Sequence, residues 1–451
     1  MSIVRSIIFV IIMLGVLATL HELGHFWVAR LLKIKVFEVS IFVGPKLITW
    51  TRKGVKFCIR LIPIGAYVRF SEVDDEGYVV ESSDPDLLIN QPRFKRLLVS
   101  LAGPAINLLL GFSIFLIMFC ATGFVSTEIG PALRNTQAYE VSSEYTPGDM
   151  IKKVNGNNVY SSYDLYYEID SFDPTKDMTI TLKSKETGKN YDVVLVPQQK
   201  TRAMMLITVK RVSEEDSEND YKGWLVRTVD PEQNNNNPIL EVGDYVTHVN
   251  GVSVLDESFD DYVESLTTEE VMKVTYVRNG ETKEGEIVPR VVEYTTDRGI
   301  RLTQRFIDSP YSFGLAFNYA AKMPFSIWNI SIRGIKDIIA GKEKAYNLVS
   351  GPIGITTMVN DVVKDEEDTV SDKLYVLIML SAVISIALAF SNLLPIPGLD
   401  GIQIIFIVVE MVIGHKLSEK AEGRLTIVGF VIIILLVILA FISDILRIIF
   451  G

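Results

Sequence analysis

Four long apolar stretches dominate the pattern of hydrophobic and polar positions in the 451-residue chain. They cover residues 7–32, 97–124, 374–394 and 425–441. A helix of about 17–25 predominantly apolar residues can cross the hydrocarbon core of a bilayer. Arg5 precedes the first stretch, as in a secretory signal peptide, but more apolar sequence follows instead of a cleavage site and polar sequence. The pattern therefore predicts a multi-pass α-helical membrane protein with four transmembrane helices.

A further apolar segment at residues 311–332 leaves a second topology open. Lys322 and Pro324 interrupt it. If it crossed the membrane, the last two spans would reverse and the polar loop after Asp400 would move outside. We prefer an amphipathic helix that lies on the outer membrane surface, because four spans place both basic loops on the same side.

Lysine and arginine side chains set the expected orientation of the four helices. They crowd the loop between the first two stretches and recur at Lys416, Lys420 and Arg424 between the last two. Short loops rich in these residues tend to remain in the cytoplasm. We therefore expect both loops to be cytoplasmic, and both termini and the acidic region between the second and third helices to lie outside.

Composition narrows the class of protein further. A hydrophobic share of 48% is high for a soluble enzyme of this length. The net charge of −11 and the lack of a basic stripe argue against a nucleic-acid partner. Cys58 and Cys120 are the only two cysteines, so no disulfide framework is indicated. The expected partner is the lipid bilayer.

An internal repeat lies in the polar region between the second and third spans. Residues 147–156 read PGDMIKKVNG, and residues 242–251 read VGDYVTHVNG. In each copy Gly-Asp predicts a turn, a short alternating strand follows, and Asn-Gly favours a hairpin. Helix-like stretches follow at residues 162–169 and 259–266. Both copies therefore predict a small β-rich module.

The repeat resembles the Gly-Asp-x-Ile-x-x-Val-Asn-Gly segment of PDZ domains. We expect two extracytoplasmic PDZ-like modules at residues 123–211 and 222–292, joined by the acidic stretch 214–220. PDZ grooves bind chain ends or extended strands by β-addition. The alternative is two β-rich domains without a peptide-binding role. The remaining expected segments are residues 1–122 with transmembrane helices 1–2, 293–370 with the amphipathic helix, and 371–451 with transmembrane helices 3–4.

A metal-binding motif, His21-Glu22-Leu23-Gly24-His25, lies inside the first span. Histidines four residues apart project from one face of a helix and can share a metal ion. Zinc held by such a pair and a third ligand lowers the pKa of a bound water towards about 7, and a nearby carboxylate can take its proton. Ionisable residues in an apolar span are costly and usually functional. The motif predicts a zinc hydrolase with Glu22 as general base.

The candidate third ligand is Asp400, which follows the third span. The segment from Asn392 to Gly401 reads NLLPIPGLDG, and its prolines and glycine must break the helix. Irregular backbone at membrane depth is tolerated only where it is buried in protein or lines a cavity. The four-span topology brings His21 and Asp400 towards the same, cytoplasmic ends of their helices. The alternative is an interfacial aspartate that caps a turn.

With these motifs the chain resembles the site-2 protease family, and specifically the bacterial intramembrane zinc metalloproteases with tandem PDZ domains that act in regulated intramembrane proteolysis. The likeness runs nearly from end to end. It includes residues 61–68 (LIPIGAYV), 102–107 (AGPAIN) and 350–355 (SGPIGI). Two positions depart from the pattern of the relatives, which have Gly-x-Gly where this chain has residues 42–44 (FVG), and a glycine where it has Ala66.

The resemblance implies that Asp400 is the third zinc ligand, that Asn392 helps to hold the substrate, and that residues 36–70 form a membrane re-entrant β-hairpin. It implies cleavage of single-span membrane proteins such as anti-sigma factors or signal-peptide remnants, usually after an upstream site-1 protease has shortened them. It also implies the bacterial plasma membrane as the location, with the active site near the cytoplasmic side.

Two other classes of protein fit part of the sequence. A membrane scaffold that binds partners through the two modules would not need Glu22, which is present. A metal transporter could use intramembrane histidine and aspartate, but it would spread polar residues over several spans as a pathway. The sequence therefore favours a protease.

Overall fold

The computed structural model describes residues 2–72, 83–212, 221–256, 258–342, 344, 351–364, 369–415 and 419–450. The expected acidic linker at residues 214–220 lies outside this part of the chain, as do Ser350 and Lys416. The chain divides into two compact units. The membrane unit comprises residues 1–127, 158–168 and 302–451, and the β unit comprises residues 128–157 and 169–301.

The helices are, in chain order, α1 (Ser2–Leu31), α2 (Arg93–Thr122), α3 (Gln137–Glu140), α4 (Ser162–Ser171), α5 (Gln233–Asn236), α6 (Phe259–Ser265), α7 (Pro310–Ile339), α8 (Pro352–Lys364), α9 (Val370–Asn392), α10 (Asp400–Ile413) and α11 (Glu419–Phe450). Four of them contain a stretch that is long and apolar enough to cross a membrane, at Ile3–Leu31, Arg93–Thr122, Val370–Asn392 and Ile427–Leu446. Within the described part of the chain, the prediction of four apolar helices is confirmed.

The strands are β1 (Glu38–Arg52), β2 (Val55–Arg69), β3 (Phe124–Ile129), β4 (Met150–Val154), β5 (Asn157–Asn158), β6 (Met178–Lys183), β7 (Asn190–Leu195), β8 (Gln199–Met204), β9 (Ile207–Val212), β10 (Gly223–Val229), β11 (Tyr245–Val249), β12 (Val252–Ser253), β13 (Met272–Arg278), β14 (Glu281–Ile287), β15 (Arg290–Thr295) and β16 (Leu302–Arg305). β1 and β2 form a two-stranded antiparallel sheet in the membrane unit. β8 and β15 form a second two-stranded sheet, in the β unit.

Small residues allow the membrane helices to pack closely. A Cβ atom on Gly24 of α1 would lie 2.6 Å from the carbonyl oxygen of Ala102 on α2. A Cβ atom on Gly111 of α2 would lie 2.4 Å from Cγ1 of Ile386 on α9. Glycines at such contacts are typical of membrane helix pairs. They let α2 lie close to both α1 and α9.

Helix α7 contains the apolar segment 311–332 and is not among the four candidate spans. Its apolar face packs against α2 and α9 through buried side chains that include Ala316, Tyr319 and Met323. Arg333 near its C-terminal end forms a buried ion pair with Glu168 of α4. These contacts attach α7 to the rest of the membrane unit, and its position on the membrane surface stays a prediction.

The β1–β2 sheet is strongly bent, so one segment of β1 pairs on both sides. Glu38 lies opposite both Arg69 and Lys56, and Ile41 lies opposite both Ala66 and Ile59. The last part of β2, residues 66–69, therefore becomes an outer edge of the sheet. Glu38 is buried, and it accepts hydrogen bonds from Arg60 (2.9 Å), Tyr67 (2.7 Å) and Arg69 (3.1 Å). A buried carboxylate needs such partners, and here they fix the bend.

At the bend, Phe42 lies in a backbone conformation that glycine adopts more readily. Phe42 has a φ of 68°, in the left-handed region that favours glycine, and Gly44 and Gly65 have φ values of 91° and 70°. A side chain in this region costs about 1–2 kcal/mol. The Phe42 ring packs on α1 at Gly15, where an added Cβ would lie 2.8 Å from Phe42 Cε1. This ring contact offsets the backbone strain and attaches the sheet to α1.

The two larger sheets repeat one strand order. The first runs β7-β6-β4-β3-β16 with β5 beside β4, and the second runs β14-β13-β11-β10-β9 with β12 beside β11. Residues 207–211, which the sequence assigns to the first module, belong to β9 of the second sheet, whereas β16, residues 302–305, joins the first sheet. The Gly-Asp repeat marks only the central strands, so the sequence gives no signal for these edge strands.

The aspartate of each Gly-Asp repeat organises a turn in the same way. Asp149 accepts the Thr146 N–H at 3.2 Å, and Asp244 accepts the Glu241 N–H at 2.8 Å. Their remaining partners differ. Asp149 accepts hydrogen bonds from the Lys185 N–H and the Tyr191 hydroxyl, and Asp244 accepts two from the guanidinium group of Arg278.

Gly111→Ala is expected to lower the free energy of unfolding by about 1–3 kcal/mol, because the new methyl group overlaps Ile386. The matched control is Gly314→Ala in α7, where an added Cβ meets nothing within 4 Å. That change is expected to leave the free energy unchanged or to raise it by up to about 1 kcal/mol, since alanine is the better helix former. Thermal unfolding in detergent measures both. Equal effects of the two changes would contradict the close α2–α9 contact.

Asp149 is expected to stabilise the β unit fully above about pH 4 and less and less below it. Burial opposes its ionisation, but hydrogen bonds from Tyr191, Lys185 and Thr146 outweigh burial and hold the pKa of the carboxyl below its usual value. The stabilisation is present above the unfolded pKa of about 3.9 and is lost as pH falls through the lower folded pKa.

Urea unfolding between pH 3 and pH 7 tests this dependence. Asp149→Asn should destabilise the protein at pH 7 and should flatten the loss of stability on acidification. Glu144→Gln, a change at an exposed carboxylate of the same unit, is the control and should leave the profile unchanged. A profile of Asp149→Asn that parallels that of the wild type would refute the role.

Candidate metal centre

His21 and His25 lie on one face of α1, and both are buried. Their ring centroids are 5.0 Å apart, and their Nε2 atoms are 3.3 Å apart. Residues four apart on a helix lie one above the other, and here the two imidazoles present their Nε2 atoms to the same point. That point is inside the candidate span Ile3–Leu31.

Asp400 reaches the same point from a different helix. α9 ends at Asn392, an irregular segment follows, and α10 begins at Asp400. Gly398 has a φ of 101°, which allows the sharp break, and a Cβ atom on Gly401 would lie 2.2 Å from the Leu394 carbonyl oxygen. The segment can therefore fold back tightly only with glycines at these two positions.

The three donor atoms form a compact triangle. Asp400 Oδ2 lies 2.9 Å from His21 Nε2 and 3.4 Å from His25 Nε2, and the Nε2 atoms are 3.3 Å apart. A tetrahedral zinc ion with ligand bonds of about 2.0–2.1 Å separates its ligand atoms by about 3.3 Å. Two imidazoles and one carboxylate are a typical donor set for zinc with one open coordination position. The geometry and the chemistry of the donors both fit zinc.

Helix α2 closes one side of this cluster. A Cβ atom on Gly103 would lie 2.3 Å from His25 Nε2 and 2.6 Å from His21 Nε2. Any side chain at this position would therefore occupy the space between the donors. Gly103 belongs to the AGPAIN segment, which the sequence marked as similar to relatives without giving it a structural role. The structure supplies that role.

A backbone carbonyl fixes the orientation of His25. Its Nδ1 lies 2.7 Å from the carbonyl oxygen of Val99 on α2. A carbonyl oxygen can only accept, so Nδ1 carries the proton and donates it. The Nε2 lone pair is then free for a metal ion, as in many metal sites whose histidines are held by an outer partner.

Glu22 lies beside the donors. One of its carboxylate oxygens is within 4.8 Å of the ligand nitrogens of both histidines. Its Oε2 accepts a hydrogen bond from the Val68 N–H, on the outer edge of the β1–β2 sheet, at 3.0 Å. Asp400 Oδ2 lies within 3.4 Å of the Nε2 atoms of both histidines.

Asn392 also lies at the site. Its Nδ2 is 3.4 Å from both ring nitrogens of His21, and its side chain is partly exposed. The other two histidines do not join this cluster among the described residues. His248 lies on β11, where its Nδ1 is 3.0 Å from Thr247 Oγ1, and His415 follows α10.

A buried ion pair that the sequence analysis missed holds α10 against α2. Arg96 donates to Glu410 at 2.7 Å, and Glu410 is almost fully buried. Asp400 lies ten residues before Glu410, and Gly103 lies seven residues after Arg96, so the two helices run in opposite directions. The ion pair therefore sets the register that brings Asp400 to the histidines. The sequence does contain a signal for this ion pair, since Glu410 is the only glutamate in the apolar helix Asp400–Ile413 and a buried carboxylate there needs a partner.

Comparison with known proteins agrees with this site. The family model described as Peptidase family M50 matches residues 9–436. A protein of Clostridium acetobutylicum named "Putative zinc metalloprotease" is 25% identical over 98% of this chain and 97% of its own length. A protein of Vibrio cholerae with the same name is 28% identical over 97% of each chain. Metalloprotease MmpA of Caulobacter vibrioides is 31% identical over 36% of this chain and 44% of its own length.

The Clostridium and Vibrio proteins cover almost the whole of this chain, and the family model includes the motif of α1. The family model spans all four candidate transmembrane helices in whole or in part, and the names of the relatives agree with a donor set that fits zinc. The chain therefore belongs to peptidase family M50, the site-2 protease family, and is a multi-pass membrane zinc metalloprotease.

Proposed function

We propose that the protein is an intramembrane endopeptidase that cleaves single-span membrane proteins, with zinc bound by His21, His25 and Asp400. One observation carries the proposal. The three donor atoms lie 2.9–3.4 Å apart, within one candidate span and just beyond the end of another. A hydrolytic site at this depth suits a substrate whose scissile bond is itself in the membrane.

The residues around the donor atoms have separate roles in hydrolysis. Zinc, when bound, supplies a Lewis acid and a water molecule of lowered pKa. Glu22 accepts the proton of the attacking water and passes it to the nitrogen of the departing amine. The Val68 N–H holds Oε2 of Glu22, which leaves the other carboxylate oxygen for proton transfer. The positioned carboxylate thus serves first as base and then as acid.

The substrate must unwind before it can be cut, because the amides of a helix are paired internally. The outer edge of the β1–β2 sheet, residues 66–69, offers backbone partners beside Glu22. An extended substrate segment can pair with such an edge by β-addition. The amide of Asn392, partly exposed at the same site, can hold a substrate carbonyl. Both sets of partners would compensate for the lost helical hydrogen bonds.

The β1–β2 sheet is proposed to enter the membrane as a re-entrant hairpin. Large apolar side chains on it are exposed: Leu47, Ile48, Trp50, Leu61 and Ile62, each between 42% and 59%. Such a patch is costly in water and suited to lipid. Phe42 attaches this sheet to α1 at Gly15, six residues before His21.

The two larger sheets are proposed to be extracytoplasmic PDZ-like modules that restrict access of intact proteins. The repeated strand order and the shared Gly-Asp turn support this interpretation. Substrates would first be shortened by an upstream site-1 protease, and anti-sigma factors and signal-peptide remnants are the proposed classes. The active site would lie near the cytoplasmic side of a bacterial plasma membrane.

Glu22→Gln is expected to lower the rate of cleavage of a single-span model substrate by at least about 100-fold. Proton transfer by a positioned side chain contributes about 10²- to 10⁴-fold, and glutamine cannot accept the proton. The measurement is cleavage in liposomes that contain the purified full-length protein, followed on gels. Glu186→Gln, at an exposed site in the β unit, is the control. Equal cleavage by the wild type and Glu22→Gln would exclude Glu22 as the base.

His21→Ala and Asp400→Ala are expected to lose bound zinc, because each removes one corner of the donor triangle. The zinc content of the purified full-length protein, measured by mass spectrometry after dialysis, should fall from about one ion per chain to nearly none. His248→Ala is the matched control and should keep its zinc, since His248 lies on β11. A full complement of zinc in His21→Ala would place the metal elsewhere.

A further inference from the structure

Asn107 on α2 is fully buried and lies directly against one of the proposed zinc ligands. Its Nδ2 is 3.3 Å from Nδ1 of His21. Its Oδ1 is also buried, and among the described residues it has no hydrogen-bond partner. Its backbone carbonyl accepts a hydrogen bond from the hydroxyl of Ser385 on α9, at 2.9 Å. The side-chain amide therefore lies against His21 with its Nδ2 atom in a hydrogen bond and its Oδ1 atom without one.

This arrangement matches the metal-free form of His21. When an amide N–H donates to Nδ1, the ring proton must sit on Nε2. Nε2 of His21 lies 2.9 Å from Asp400 Oδ2, so the proton on Nε2 is donated to that carboxylate. In this form the Nε2 lone pair is not available, and His21 cannot bind a metal ion through it.

Binding of zinc exchanges the roles of the two ring nitrogens of His21. Nε2 must give up its proton, and Nδ1 must carry one and donate it to an acceptor. The amide of Asn107 can provide that acceptor by a half-turn about its terminal bond, which exchanges Oδ1 and Nδ2 within nearly the same volume. In either orientation of the Asn107 amide, one of its two polar atoms has no partner. The position of the proton on His21 therefore determines which orientation the amide adopts.

Asn392 is less suited to this task, although it lies at a similar distance. Its Nδ2 is 3.4 Å from Nδ1 and 3.4 Å from Nε2 of His21. A partner in line with the Nδ1–H bond would be farther from Nε2 than from Nδ1. Asn392 therefore does not lie along that bond, and its partly exposed side chain stays free for a substrate.

We propose that Asn107 is a positioning residue for zinc: its amide oxygen accepts the Nδ1 proton of His21 and so directs the Nε2 lone pair to the metal ion. The inference rests on the proposed zinc site. Asparagine can donate to His21 without metal and can accept from His21 with metal, but the hydrogen bond from the Nδ1–H of an imidazole bound to a cation is the stronger of the two. Asn107 therefore favours the zinc-bound form on balance, an acceptor alone would favour it further, and an apolar side chain would give no such preference. Asn107 does not contact the substrate, because it is fully buried.

The test is zinc affinity, measured by competition with a chromogenic chelator on the full-length protein in detergent. Asn107→Leu is expected to bind zinc about 10- to 100-fold more weakly than the wild type, the usual loss when an outer partner of a ligand is removed. Asn107→Asp, an acceptor of similar size, should bind at least as tightly as the wild type. Asn392→Leu should keep the wild-type affinity to within about threefold and should instead raise KM for a model substrate.

Activity gives a second readout. At high zinc concentration Asn107→Leu should regain most of its cleavage rate with an unchanged KM, since the residue acts through His21. Asn107→Ala gives the same comparison if leucine is not accommodated, and thermal unfolding in chelator checks the metal-free fold of each variant. Wild-type affinity in both Asn107→Leu and Asn107→Ala would overturn the inference, as would an equal loss in Asn107→Asp. If the wild type itself binds no zinc, the proposed function fails with it.

Discussion

The close approach of α2 to α1 is the constraint on which the candidate metal centre depends. Gly24 lets the α2 backbone come near α1, and Gly103 leaves the space in which the two imidazoles meet. A methyl group at either position would separate the helices or fill the space between the proposed zinc ligands. The same approach brings the Val99 carbonyl to His25 and Asn107 to His21. The same close packing of α1 and α2 is therefore required both for the fold of the helices and for the arrangement of the proposed zinc ligands.

Sequence reasoning predicts those parts of the molecule that depend on local patterns. The four apolar helices follow from hydrophobic length, and the family follows from the motifs of residues 21–25 and 392–401 together with three shorter segments. Both predictions are confirmed. The proposed ligands also came from the sequence, and in the structure Asp400 Oδ2 lies 2.9 Å and 3.4 Å from the Nε2 atoms of His21 and His25. In each case the signal is a short run of residues that is unusual in its surroundings.

The features that escaped prediction are contacts between distant segments. Gly103 is one small residue in an apolar helix, and only the fold shows that a Cβ there would touch His25. The edge strand β16 has four residues and no hydrophobic pattern of its own, so its pairing beside β3 had no local signal. The bend of the β1–β2 sheet depends on Glu38 with Arg60 and Tyr67, which no spacing rule connects.

Two buried carboxylates of the membrane unit, Glu410 and Asp444, are paired in a way that limits their cost. An isolated charge or amide in an apolar environment is strongly unfavourable, and here Glu410 meets Arg96 and Asp444 of α11 accepts the backbone N–H groups of Gly351 and Ile353. Each pair joins two helices at a defined register. The burial that makes these groups expensive therefore also makes the arrangement of helices specific, and a metal site made of side chains from separate helices requires that specificity.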